Sequence, residues 1–153
     1  MWNKNKSLLL SRLMTVSMSA VILILCFFVP PIAKWYTDFS DTFSLLGKDT
    51  FYPAMIVCSY LCLAMALCAL YFLHILLKNI NKNEVFVENN TKCLRAISWS
   101  LILAGLFFAV FTLWALIAIL PAVFCFMIGI VIRVMKNVFE KAVEIKSEND
   151  FTI

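Results

Sequence analysis

"ISWSLILAGLFFAVFTLWALIAILPAVFCFMIGIVI", residues 97–132, contains no Lys, Arg, Asp, Glu or His. As one helix this run of 36 residues would be about 54 Å long at roughly 1.5 Å per residue, nearly twice a bilayer's hydrocarbon core of about 30 Å. The run therefore reads as two helices folded back into a hairpin. Trp114, an interface-favouring residue, stands midway between the flanking charges Arg95 and Arg133, and Pro121 is the helix breaker within the run. The turn is predicted between Trp114 and Leu120. It follows from length and not from turn chemistry, because no Gly, Asn or Asp lies there.

Two further stretches, residues 13–33 and 53–77, are also free of Lys, Arg, Asp and Glu, and each is long enough to cross a membrane as a helix. With 63% apolar residues, 14% charged residues and a mean hydropathy of +0.94, the composition excludes an ordinary soluble domain. Orientation follows from the basic residues, which stay on the cytoplasmic side during insertion. Lys4, Lys6 and Arg12 precede the first span; Lys78, Lys82, Lys92 and Arg95 separate the second and third; Arg133, Lys136, Lys141 and Lys146 follow the fourth. Only Lys34 and Lys48 fall on the opposite side. The expected fold is an all-α membrane protein of four transmembrane helices with both termini cytoplasmic, the last helix continuing into the cytoplasm as an amphipathic helix.

Residues 1–153 thus form a single membrane domain. Its segments are a cytoplasmic start (1–12), TM1 (13–33), an extracytoplasmic loop (34–52), TM2 (53–77) and a cytoplasmic loop (78–96). TM3 (97–114), the hairpin turn (115–120), TM4 (121–135) and a cytoplasmic helix with tail (136–153) complete it. The first span is expected to be an uncleaved anchor: "PPIA" puts Pro31 where signal cleavage needs a small residue, and "LILC" puts Leu25 where a lipoprotein signal needs one.

Chemistry-bearing side chains are sparse. Cys26, Cys58, Cys62, Cys68 and Cys125 fall in spans and Cys93 in the cytoplasmic loop, so no disulfide framework is implied. Cys58, Cys62 and Ala66 recur every four residues as a small-residue stripe suited to helix packing; Gly105 and Ala109 make a similar pair. His74 is the one histidine, near the cytoplasmic end of the second span. A proton relay competes there with an interfacial histidine that reaches head groups or a carbonyl, and the lack of carboxylates in the spans favours the latter. No catalytic triad, paired carboxylate, phosphate loop or zinc spacing appears, so no catalytic residue, metal or cofactor is assigned and an enzyme is not expected.

The loop "KWYTDFSDTFSLLGKDTFY", residues 34–52, is rich in rings. Phe39 and Phe43, one turn apart, allow a short surface helix that takes a peptide or lipid-like ligand; an aromatic belt anchoring the first two spans explains the same rings more simply.

The cytoplasmic signal is sharper. Val85, Phe86 and Val87 form an apolar knot, Glu88 opens a helix leading into the third span, and Asn89-Asn90-Thr91 is a glycosylation sequon left bare on that side. Beyond the fourth span, Met135, Val138, Phe139, Ala142, Val143 and Ile145 follow the helical period. Asn149 is the expected terminator, after which "DFTI" alternates as a short strand would. The basic loop and the acidic tail, each with apolar residues, are expected to dock, Phe86 near Phe151. The interaction residues assigned are Phe86, Val87, Glu88, Asn89, Arg95, Glu148, Asn149, Asp150, Phe151, Thr152 and Ile153.

The stretch "FVENNTKCLRAISW" and above all the ending "VFEKAVEIKSENDFTI" resemble the DUF2975 family of small bacterial multi-pass membrane proteins, whose members commonly end in a similar "ENDLTI". Here Phe151 stands where Leu is usual, and the outer part of the last hairpin is short for the family. The family has no established activity. The resemblance implies a location in the bacterial inner membrane and, as a partner, a small helix-turn-helix regulator encoded nearby or another cytoplasmic protein. Besides the lipid bilayer no other partner is implied, direct nucleic-acid binding is not expected, and the oligomeric state is left open. A sensor or regulatory partner working through the loop and tail is the function expected. Self-immunity or transport-accessory action on a peptide or lipophilic compound, through the membrane helices, is the alternative.

Overall fold

The computed structural model describes residues 4–39, 47 and 49–150. Four long helices carry them: α1 (Lys4–Phe39), α2 (Phe51–Asn81), α3 (Glu88–Phe111) and α4 (Ile119–Asp150). Each is long and apolar enough to cross a membrane, and no strand occurs among the described residues. The uncharged run breaks at residues 112–118, a turn closed by backbone bonds from Trp114 and Ala115 to the Phe111 carbonyl and by one 3₁₀ turn, Leu116–Ala118. Pro121 falls in the first turn of α4, where the hydrogen it lacks has no acceptor to lose.

The helices run up, down, up and down, and each packs on the next in sequence only: α1 on α2, α2 on α3, α3 on α4. The result is an open row of helices with no α1–α4 contact among the described residues. Exposed Leu, Ile, Val and Phe cover the outer faces of α1 and α4, as suits helices surrounded by hydrocarbon.

The α3–α4 pair is the tightest contact. A Cβ on Gly129 would sit 2.9 Å from the Ile102 side chain and 3.3 Å from the Ser98 carbonyl, and the Ser98 hydroxyl donates to the Gly129 carbonyl at 2.8 Å. Two turns along, a Cβ on Gly105 would meet the Ala122 carbonyl at 3.2 Å. Small residues here let the backbones approach, which substitutes for the hydrophobic drive that lipid cannot supply. Within the apolar run of α3, Ser98, Ser100, Ala104 and Gly105 are buried small residues, while Ala109 is half-buried. Cys62 of the α2 stripe is buried against Ala104.

Between α1 and α2 the link is a proline consequence. Pro30 has no N–H to give the Cys26 carbonyl four residues back, and the Tyr60 hydroxyl of α2 donates to that carbonyl at 3.0 Å. At the same end of the row, rings of Tyr36 and Phe51 stack at 5.9 Å, Phe51 meets Phe111 at 5.8 Å and Phe111 stacks on Trp114 at 6.4 Å. Trp114 also donates its indole N–H to Thr50 at 2.9 Å. Tyr36 and Phe51 of the aromatic loop therefore join helix ends to one another. Phe43 and the surface helix expected around it lie outside the described residues.

Replacing Tyr60 by Phe should lower stability by about 1 kcal/mol, within the range of interhelical hydrogen bonds in membrane proteins. Tyr71→Phe is the control, since that exposed hydroxyl has no hydrogen bond among the described residues. Detergent-micelle unfolding of the two variants would measure the difference, and equal midpoints would refute the link.

Candidate functional site

The described end that carries Arg12, Lys78, Arg95 and Arg133 is where polar residues gather, and the α2–α3 connection is its centre. Helix α2 closes with Asn83 at φ 63°, a left-handed position that Asn tolerates better than most side chains. The Asn83 N–H bonds the Ile80 carbonyl and the Glu84 N–H reaches back to the Asn79 carbonyl, so the chain reverses at once.

The short loop that follows is held from inside by Asn90. Its side chain is wholly buried; it accepts from the Asn79 amide at 2.8 Å and donates to the Glu84 and Val85 carbonyls at 2.7 and 2.8 Å. One amide therefore ties the end of α2, the loop and the start of α3 together. Thr91 beside it is also buried and donates to the Glu88 carbonyl. Asn90, read in the sequence only as part of a sequon, is the loop's internal fastener.

This fastening presents Phe86 to α4. Its ring lies 5.9 Å from that of Phe139, and Arg95 reaches Glu140 at 3.4 Å, where Lys136 also pairs. The α2–α3 loop thus meets α4 at Phe139 and the first turns of α3 meet it at Glu140, about three turns before the expected partner Phe151. Phe151, Thr152 and Ile153 lie outside the described residues. Helix α4 passes through Asn149 to Asp150, so Asn149 does not end it. Of the other assigned residues, Val87 caps α3 by accepting the Asn90 N–H, Glu88 pairs with Lys92 at 3.0 Å, and Asn89 and Glu148 are exposed.

The apolar period of α4 serves two surfaces. Phe139, Ala142 and Val143 are half-buried, whereas Met135, Val138 and Ile145 are exposed. Lys136 lies on the covered side, its side chain only 13% exposed. Further along the helix pair, the Arg133 guanidinium sits over the Trp99 ring, 4.7 Å from its centroid.

A second feature is an apolar groove of about 380 Å³, lined by α1, α2 and α3 with Cys125 of α4. Leu25, Val29, Met55, Ala66, Ala104 and Phe108 supply much of its wall. All six cysteines are free. Burial pushes the Cys93 thiol above its ordinary value, which keeps it protonated and packing as a small apolar group. Among the described residues, no three His, Cys, Asp or Glu side chains gather as metal ligands, and His74 has no hydrogen-bond partner.

The Lys136 hydrogen bond, aided by the charges of Lys136 and Arg95, holds the Glu140 carboxyl below its usual range despite some loss of water. A depressed carboxyl strengthens the packed form while ionised: its contribution is complete above the unfolded carboxylate's value and is lost as pH falls through Glu140's own lower one. Solvent screening keeps the effect small. Acidification should therefore lower the hydrogen-exchange protection of residues 84–87 relative to their intrinsic rates at each pH, and Glu140→Gln should flatten that dependence.

Asn90→Ala should be far more disruptive, because it strands the Glu84 and Val85 carbonyls and the Asn79 amide. The expected loss is about 2 kcal/mol, with hydrogen exchange across residues 82–92 rising at least tenfold. Unchanged exchange in that variant would remove Asn90 from its role.

A family model described as "Protein of unknown function (DUF2975)" matches residues 15–153, nearly the whole chain. No curated protein and no solved structure matches the chain.

Proposed function

We propose that this chain, which belongs to the DUF2975 family, is a non-catalytic, multi-pass inner-membrane protein that acts as a sensor or regulatory partner through its cytoplasmic face. The observation that carries this reading is the packing of the α2–α3 loop and the start of α3 on α4 by Phe86–Phe139 and Arg95–Glu140. It joins a short loop and a helix extension into one composite surface. Basic residues concentrated at this end support a cytoplasmic position for it. The exposed half of Phe86, the acidic residues Glu144 and Glu148, and the last residues of the chain supply apolar and charged groups that a small helix-turn-helix regulator or another cytoplasmic protein would meet.

The apolar groove favours a second reading, self-immunity or transport-accessory action on a lipophilic compound or peptide. Its volume is at the lower end of small-molecule sites, and its wall is almost entirely apolar.

Deleting residues 148–153 separates the two. A regulatory partner co-expressed with the chain and co-purified in detergent should be lost at least tenfold with the truncated form, provided that form remains monodisperse. Retention of the partner, or a phenotype that survives truncation and is abolished by narrowing the groove with Ala66→Phe, would transfer the function to the membrane helices.

A further inference from the structure

Three basic side chains, Arg95, Arg133 and Lys136, converge with Ser98 and Trp99 around a small pocket of about 30 Å³ between α3 and α4. That is room for a single water-sized group. Glu140 is the carboxylate that serves this cluster: Lys136 pairs with it and Arg95 reaches it at 3.4 Å. Arg133 has no acidic partner among the described residues and stacks on the Trp99 ring instead. Lys136 is further occupied by the Asn137 amide oxygen at 3.3 Å. One carboxylate against three cations leaves a local surplus of positive charge beside a space the size of one oxygen.

The place of this cluster in the sequence identifies what faces it. Arg95 is the last charge before the apolar run of residues 97–132 and Arg133 the first after it, and both emerge at the same level because α3 and α4 are antiparallel neighbours. Below them Trp99, Ile130 and Val131 are exposed apolar surface. A guanidinium with free donors, an indole at the edge of an apolar belt and bare aliphatic surface beneath together match a glycerophospholipid: phosphate above, acyl chains below. We infer that Arg95, Arg133 and Lys136, with Trp99, form a binding site for the phosphate of an anionic phospholipid. The site is independent of what the composite surface regulates and requires only that the four apolar helices lie in a bilayer.

A soluble phosphoprotein would bring the same phosphate chemistry but no acyl chains for Trp99, Ile130 and Val131, so the lipid source is the one this surroundings favours. Binding needs no covalent step. It replaces water at Arg133 with phosphate oxygens and leaves the Glu140 pairings in place.

The test uses the full chain, delipidated in neutral detergent and titrated with phosphatidylglycerol or phosphatidylcholine of identical acyl chains, with bound lipid counted by native mass spectrometry. Phosphatidylglycerol should bind at least tenfold more tightly. Arg133→Gln should weaken it about fivefold and Arg95→Gln/Arg133→Gln about 25-fold, the effect expected for one and two interfacial charges. Arg133→Lys should recover part of the loss, and Lys146→Gln, at an exposed position far along α4, should change binding less than twofold. If Arg133→Gln does not fold as the parent does, Arg95→Gln alone, which spares the Arg133–Trp99 contact, carries the comparison. Equal affinity for the two lipids would overturn the inference, as would equal losses in Arg133→Gln and Lys146→Gln. Displacement of phosphatidylglycerol by inorganic phosphate at matching concentrations would assign the pocket to a free anion and also overturn it.

Discussion

The Ser98 hydroxyl on the Gly129 carbonyl fixes the register on which the polar end of this molecule depends. Lipid competes for neither group, so in an apolar setting the bond is retained, and it forms only because Gly129 lets α3 approach to a distance no side chain would permit. Once Ser98 and Gly129 are opposed, antiparallel geometry dictates the rest. Two turns toward the hairpin, Gly105 meets Ala122; one turn the other way, Arg95 comes beside Lys136, while Trp99, next to Ser98, lies under Arg133. Further still, Phe86 reaches Phe139. The composite surface and the basic pocket are thus readouts of one helix register.

A second constraint acts on the loop. The residues 82–87, reversing direction between two long helices, leave carbonyls that helices cannot satisfy, and burying them unpaired would cost more than the loop's few apolar contacts return. Asn90 resolves this with a side chain that offers both donors and an acceptor. Its position three residues inside α3 means that helix growth and loop closure are the same event. A rigid loop, in turn, is what allows Phe86 to stay half-exposed yet fixed against α4.

The first helix is held differently. Among the described residues α2 is its one helical neighbour, and a hydrogen bond between them exists because Pro30 removed a backbone donor and left the Cys26 carbonyl for Tyr60. The apolar groove lies on this more loosely bordered side, whereas the polar pocket and the loop contacts lie on the tight α3–α4 side. Two kinds of environment are therefore separated within one small chain: an open apolar space near α1, and a closed charged end organised by α3 and α4.

What could be read from the residues divides along the same physical lines. Apolar length is a one-dimensional property, so the four helices and the fold-back within residues 97–132 were legible in the sequence, as was the helix beginning at Glu88. The turn begins at Thr112, ahead of the expected Trp114, because the backbone bonds that close it use no residue with turn preference. The link between Tyr60 and the Cys26 carbonyl that Pro30 frees was not read from the sequence, since those two residues lie 34 positions apart. The apolar period of α4 predicted a helix but could not divide Phe139 from Val138: hydrocarbon and protein accept the same side chains, and only the neighbouring Phe86 separates them. Asn90 was the least legible, because its partners lie five, six and eleven positions away and an asparagine in a sequon looks like surface. Periodicity reports which face is apolar, whereas a buried amide is recognised only when the orphaned carbonyls it serves are known, and those are set by where the chain turns.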